Sequence, residues 1–270
     1  MTNRASLKDE LIATKSFGKK LDPKEESDLI TKIAAKTTFE NILVYDRTGA
    51  TALDIAKDFD VIMNGNLDDI ISSRFKVVNR PCNEVSFDYI KFAVGCSVSD
   101  KDGNILWLKR NSPDLYGKTI TGVSGHVSYD DLSSWNSQRH RVQDLLHVVD
   151  ENMRKEFCEE LGIDGGINVY TDWYNNSFYY ENQVNKIRFN CDIEPIKDPL
   201  TRGRRLVCNT DLYGNTPYVT FMYHATMDND IIPHLESGEP DKHTLEYGSL
   251  DDLIKLRSEC TTLLPQLLKY

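Results

Sequence analysis

The amino-acid sequence predicts an α/β protein in which a mixed β-sheet lies between helices. Three observations support this. Short runs of apolar and β-branched residues, with turn residues between them, recur from about residue 40 to residue 225. One central segment instead repeats its apolar residues every four positions, at Val149, Met153, Phe157 and Leu161, which is the spacing of one helix face. A second helix start stands near residue 249, where Ser249 precedes Leu250-Asp251-Asp252-Leu253 in the manner of an N-cap.

Taken in order, residues 1–27 are charged and polar with little periodicity, so they read as a loose arm or a marginal helix. Residues 40–45 read as a strand, and Asn64-Gly65-Asn66 as a turn. Residues 90–98 and 104–109 are two strands joined through Asp102-Gly103, the strongest short hairpin signal in the chain. Residues 118–123 form a further short strand, and a polar insertion near 128–146, containing Trp135, Arg139 and His140, leads into the central helix. Beyond it, residues 167–171, 177–180, 187–191 and 218–225 read as strands, with a basic loop at 195–205. The domain reading is an N-terminal extension at 1–85 and a main domain at 86–270 that carries the insertion.

Composition narrows the function. The 270 residues carry a formal charge of −10, which argues against long nucleic acid as a partner. The six cysteines are scattered with no Cys-x-x-Cys pair, so reduced thiols are expected rather than a disulfide framework. The histidines lack zinc-ligand spacing. No apolar run is long enough to span a bilayer and no targeting segment is visible, so the expected location is cytoplasmic and no membrane is expected.

The chemistry concentrates on the central helix. Glu156, Glu159 and Glu160 stand at offsets 0, 3 and 4, which places them within an arc of about 100° on an α-helix. Three carboxylates on one stripe repel one another. Acidic helix faces are more often simply solvated, but a hard cation such as Mg²⁺ or Mn²⁺ also explains this cluster. Gly162 follows as a helix stop.

The run Lys155-Glu156-Phe157-Cys158-Glu159-Glu160-Leu161-Gly162-Ile163, with Ser124-Gly125-His126 upstream, resembles the Nudix box. Lys155 stands where the family has Arg, and Ser124-Gly125 where it usually has a Gly-Gly pair. The stretch between Gly125 and Lys155 is longer than the family's. The box glutamate expected within that stretch has no clear counterpart, with Asp130, Asp131, Asp150 and Glu151 nearest. A wider likeness to predicted Nudix-type phosphoesterases runs from about residue 40 to 255 through Asn79-Arg80-Pro81, Trp107-Leu108-Lys109-Arg110, Leu115-Tyr116-Gly117-Lys118 and Leu245-Glu246-Tyr247-Gly248-Ser249-Leu250.

This resemblance implies an α/β/α Nudix fold and a Mg²⁺- or Mn²⁺-dependent hydrolase of a nucleoside diphosphate linked to another moiety. It implies Glu159 and Glu160 as metal ligands, Glu156 as a ligand or as the group acting on water, and a backbone carbonyl near Gly125 as a further ligand. A general base beyond the box is expected at Glu246, with Glu236 and Glu239 as alternatives; Glu246 also reads as a plain edge-strand residue. Lys109, Arg110, Lys118 and His126 are candidate substrate contacts. The expected partner is a small-molecule nucleoside-diphosphate derivative, and a homodimer remains open. Lys155 and the long box keep a second reading in view, a Nudix-fold nucleotide-binding module without catalysis.

Overall fold

The structure, a computed structural model, describes residues 23–24, 27, 41–79, 88–111, 120–128, 140–163, 170–172, 177–199, 202–210, 217–228 and 230–260. Within them run β1 (Asn41–Asp46), α1 (Ala52–Asn64), β2 (Phe75–Asn79), β3 (Tyr89–Asp100), β4 (Ile105–Arg110), β5 (Ile120–Thr121), β6 (Val123–His126) and α2 (Val142–Glu160). There follow β7 (Tyr170–Asp172), β8 (Ser177–Glu181), β9 (Arg188–Pro195), β10 (Leu206–Thr210), β11 (Pro217–Met227), β12 (His243–Gly248) and α3 (Leu250–Lys255). The α/β class expected from the sequence is the class observed.

These residues gather into two compact units. One takes its described residues from Met1–Ala93, His126–Asn152 and Lys197–Phe221, the other from Val94–Gly125, Met153–Ile196 and Met222–Tyr270. In the first unit β1 pairs antiparallel with β2 and with the start of β3, and β10 pairs antiparallel with the start of β11. Its core is aromatic. Phe59 on α1 meets Tyr45 of β1 at 5.3 Å between ring centroids and Phe92 of β3 at 5.7 Å, and Phe75 of β2 closes the cluster. α1 starts at a capping box, in which Thr51 accepts from the Asp54 backbone and Asp54 accepts from that of Thr51.

In the second unit the strand order is β12-β4-β3-β11-β9-β8-β7, with β5 on β4. β3 and β4 form the predicted hairpin, with Val98 opposite Leu106 and Gly103 at φ +87. β12 lies antiparallel along β4 and carries α3 directly after it, capped by Ser249 and Asp252 as the sequence suggests. Phe157 of α2, Tyr180 of β8 and Phe189 of β9 pack in the core of this unit.

The central helix starts earlier than the spacing of its first recognised residue implies. Residues 128–146 read as a polar insertion, yet Val142 and Leu145 are buried and extend the Val149-Met153-Phe157-Leu161 stripe by nearly two turns. Every member of that stripe from Leu145 to Leu161 has 0% exposure. α1, β2 and β10 are further elements that the sequence reading passed over.

Candidate functional site

With the apolar stripe of α2 buried, the opposite stripe is left for Glu156, Glu159 and Glu160. The structure brings two of the three together. Glu160 Oε2 accepts from the backbone N–H of Ser124 on β6 at 3.2 Å. Glu156 occupies the space beside Gly125; a Cβ on that glycine would overlap the Glu156 carboxylate. Here the absence of a side chain, rather than an unusual φ, is what the glycine supplies. Burial, followed by the charges of Glu156 and Glu239, raises the pKa of Glu160 well above the usual carboxylate range, while the Ser124 N–H and Arg110 pull the other way.

Glu159 is set apart from this pair. Its side chain is 52% exposed and lies 3.8 Å from Lys155 one turn earlier, an i,i+4 ion pair on the solvent side. Ser124 and Gly125 lie on β6 beside Glu160 and Glu156, and half-buried His126 ends β6 two residues beyond Ser124. Lys118 lies outside the described residues, as do Trp135, Asp130 and Asp131.

The two adjacent basic residues of β4 are divided by strand alternation. Arg110 acts on Glu160 and on His243, its partner across the β4–β12 pair. Lys109 projects to the other face, where its Nζ lies 3.2 Å from Glu246 Oε1. Trp107 Nε1 donates to Glu246 Oε2 on that face, also at 3.2 Å. Glu246 is thus held by Lys109 and Trp107, and it stands three residues from His243 on the opposite face of β12.

The loop before β12 packs on the C-terminal end of α2. Gly238 N–H donates to the carbonyl of Glu160 at 3.2 Å, and Asn182 Nδ2 bridges the carbonyls of Leu161 and Glu236. Gly162, in the left-handed region at φ +65, faces Gly238 so closely that a Cβ on Gly238 would collide with the Gly162 backbone, and one on Gly162 would stand 3.0 Å from Gly238 Cα. The loop is thereby fastened to the C-terminal end of α2. It sets Glu239, which is ion-paired with Lys242, where its charge acts on both Glu160 and His243. Of the three expected base positions, Glu239 is the one electrostatically joined to the acidic pair.

His243 was not singled out as a site residue in the sequence. It is 5% exposed, and its buried Nε2 has no hydrogen-bond partner. Burial lowers its pKa. The only sequence signal was its place four residues after Glu239, on the strand that carries Glu246.

Arg204 reaches Asp150 with both guanidinium nitrogens, at 2.6 and 2.8 Å, so this box-glutamate candidate is engaged in a bidentate ion pair. Cys96, Cys158, Cys191, Cys208 and Cys260 are free thiols.

Among the described residues, no set of three His, Cys, Asp or Glu side chains is drawn together as a finished metal cage. The fit of a cation therefore rests on the Glu156–Glu160 pair. Glu156, beside Gly125, and Glu160, on the Ser124 N–H with its proton affinity raised in part by Glu156, offer hard oxygen donors of the kind that suit Mg²⁺ or Mn²⁺. Among the described residues, no helix is long and apolar enough to cross a membrane.

No protein-family profile and no curated protein matches the chain. Among solved structures it is similar to Tm1382, a candidate Nudix hydrolase, with TM-score 0.39 and 14% identity over 81% of this chain and 91% of that one. It is also similar to a Nudix hydrolase from Nitrosomonas europaea, with TM-score 0.37 and 12% identity over 67% of this chain and 86% of that one.

Proposed function

We propose that this protein is a hydrolase dependent on Mg²⁺ or Mn²⁺, which cleaves a phosphoanhydride bond in a nucleoside diphosphate linked to another moiety. The observation that carries this reading is the Glu156–Glu160 pair, seated against Gly125 and the Ser124 N–H. A divalent cation bound there would neutralise phosphate charge and lower the pKa of a bound water.

The chain's own residues take distinct parts in this proposal. Glu156 and Glu160 bind the cation, and the backbone at Ser124 and Gly125 fixes where their carboxylates sit. Arg110, whose charge acts on Glu160, is the phosphate-facing cation of the two on β4. Glu239 takes the base position beyond the box, since Glu246 is bound to Lys109 and Trp107. Glu159 tunes the acidic face from its exposed ion pair with Lys155.

The test is release of nucleotide or phosphate from a panel of nucleoside triphosphates, dinucleoside polyphosphates, nucleotide sugars, ADP-ribose and NAD. It is run with Mg²⁺ and with Mn²⁺ on the wild type and Glu156→Gln. Turnover in the wild type that falls at least about 100-fold in the variant is the expected outcome, in line with the loss of a metal-ligating group. The exposed, Lys155-paired Glu159 favours one second reading, a nucleotide-binding module without catalysis. Tight nucleotide binding with no metal-dependent turnover of any panel member would replace the hydrolase reading with that one.

A further inference from the structure

We infer that the sheet face opposite α2 carries a binding site for a small aliphatic amine, formed by Asp192 and Glu194 of β9 with Thr226 and His224 of β11. It stands apart from the cation site and does not rest on the hydrolase reading. Strand alternation separates the two. On β9, Phe189 and Cys191 turn inward, and Phe189 stacks on Tyr180, which meets Phe157 of α2. Asp192 and Glu194 turn the other way, and antiparallel pairing sets Thr226 opposite Asp192 and His224 opposite Glu194. These four residues, with Pro195 and Ile196, line an open cavity of about 330 Å³. That volume lies at the lower end of small-ligand sites, which span about 300–1,000 Å³.

The chemistry of the lining selects the ligand. The ring of His224 is committed to β3, with Ser97 Oγ 2.8 Å from Nδ1 and Ser99 Oγ 3.3 Å from Nε2. Both nitrogens are taken up by hydroxyls and burial lowers the pKa, so the ring is a fixed, neutral wall beside Glu194. The strand-borne acids Asp46, Glu181 and Glu246 meet Lys76, Arg188 and Lys109. Among the described residues, Asp192 and Glu194 have no such cation, and no Lys or Arg lines the cavity. The two carboxylates are two residues apart on one face, about 7 Å along the strand. A primary ammonium has three donors and no acceptor, which suits two carboxylates and the Thr226 hydroxyl. Its carbon chain would lie on Pro195 and Ile196. A phosphate or carboxylate ligand would meet like charge there instead.

The experiment titrates 1,4-diaminobutane into the full-length protein in chelator, with ionic strength held constant by NaCl. Calorimetry gives the affinity, and NMR follows the His224 ring signals, identified by their loss in His224→Gln. The proteins are the wild type, Asp192→Asn, Glu194→Gln and Asp60→Asn, the last removing an exposed carboxylate of α1 in the other unit. Saturable binding of one amine per chain is expected, with a shift of the His224 signals. Asp192→Asn and Glu194→Gln are each expected to weaken it about fivefold, and Asp60→Asn to leave it unchanged. Tetramethylammonium, which keeps the charge but has no N–H to donate, is expected to bind at least about tenfold more weakly than the diamine. The inference is overturned if binding does not saturate, if the His224 signals stay in place, or if tetramethylammonium binds as well. It is also overturned if Asp60→Asn weakens binding as much as Glu194→Gln, which would assign the effect to the net charge of −10.

Discussion

At the scale of single residues, Glu160 holds the most informative conflict in the molecule. Its carboxyl is enclosed, faces the like charges of Glu156 and Glu239, and is partly compensated by the Ser124 N–H and Arg110. Its folded-state pKa is raised above the unfolded value. In the interval between the two, the folded state therefore binds more protons than the unfolded state, and stability falls as pH rises. Without a divalent cation the protein should thus gain stability as pH is lowered toward the ordinary glutamate range, until other carboxylates begin to protonate. Glu160→Gln removes the charge but keeps the shape, so at neutral pH the metal-free variant should melt higher by about 2–4 °C, the shift that about 1 kcal/mol produces in a domain of a few hundred residues. Its melting temperature should also depend less on pH above the ordinary glutamate range. Thermal melts of both proteins across that range check the sign, and a variant that melts lower at every pH would show that the carboxylate is compensated within the fold. Arg110 and Lys109 illustrate the same scale in another way. They are neighbours in sequence, but alternation sends one to Glu160 and the other to Glu246.

At the scale of elements, the site depends on how α2 ends. Gly162 and Gly238 meet backbone to backbone, and the Gly238 N–H donates to the Glu160 carbonyl. A methyl group on Gly238 would collide with the Glu159 carbonyl and with Gly162, both of which are backbone and cannot swing aside. Gly238→Ala should therefore destabilise the protein by about 1–3 kcal/mol, the usual penalty for overpacking. It should also weaken Mn²⁺ binding, because Glu239 moves with the loop. Urea unfolding together with calorimetry checks both, and unchanged values would mean that the loop is not seated on the helix. Much of α2 itself was legible in the sequence, since a four-residue apolar repeat ending in glycine has one simple solution. Its first two turns were not, because Val142 and Leu145 sit among polar residues and only tertiary burial reveals them as part of the stripe. α1 was announced by Thr51 and Asp54, a capping pair that the sequence reading did not use. The place of Glu239 and His243 at the end of α2 was not legible, because it depends on two glycines more than seventy residues apart meeting in space.

At the scale of the whole molecule, sequence order conceals that each compact unit is assembled from three separate stretches, since contacts between distant segments leave little trace in local pattern. The charge is legible, and it sharpens the test of the cation. A chain with a net charge of −10 attracts any divalent ion to its surface, so weak stabilisation by Mn²⁺ would mean little in itself. A site differs from screening in saturating and in depending on named residues. At about 100 times its dissociation constant, an ion bound only by the folded state adds about 2.7 kcal/mol, enough to raise the melting temperature by several degrees. The wild type should therefore show a Mn²⁺-dependent rise that levels off with concentration and reverses with chelator. In Glu156→Gln most of that rise should disappear, although the variant changes the net charge by only one. Equal rises in the two proteins, or a rise that grows without levelling and is matched by NaCl of the same ionic strength, would assign the effect to screening. The Glu156–Glu160 cradle would then be a strained acidic contact and not a binding site.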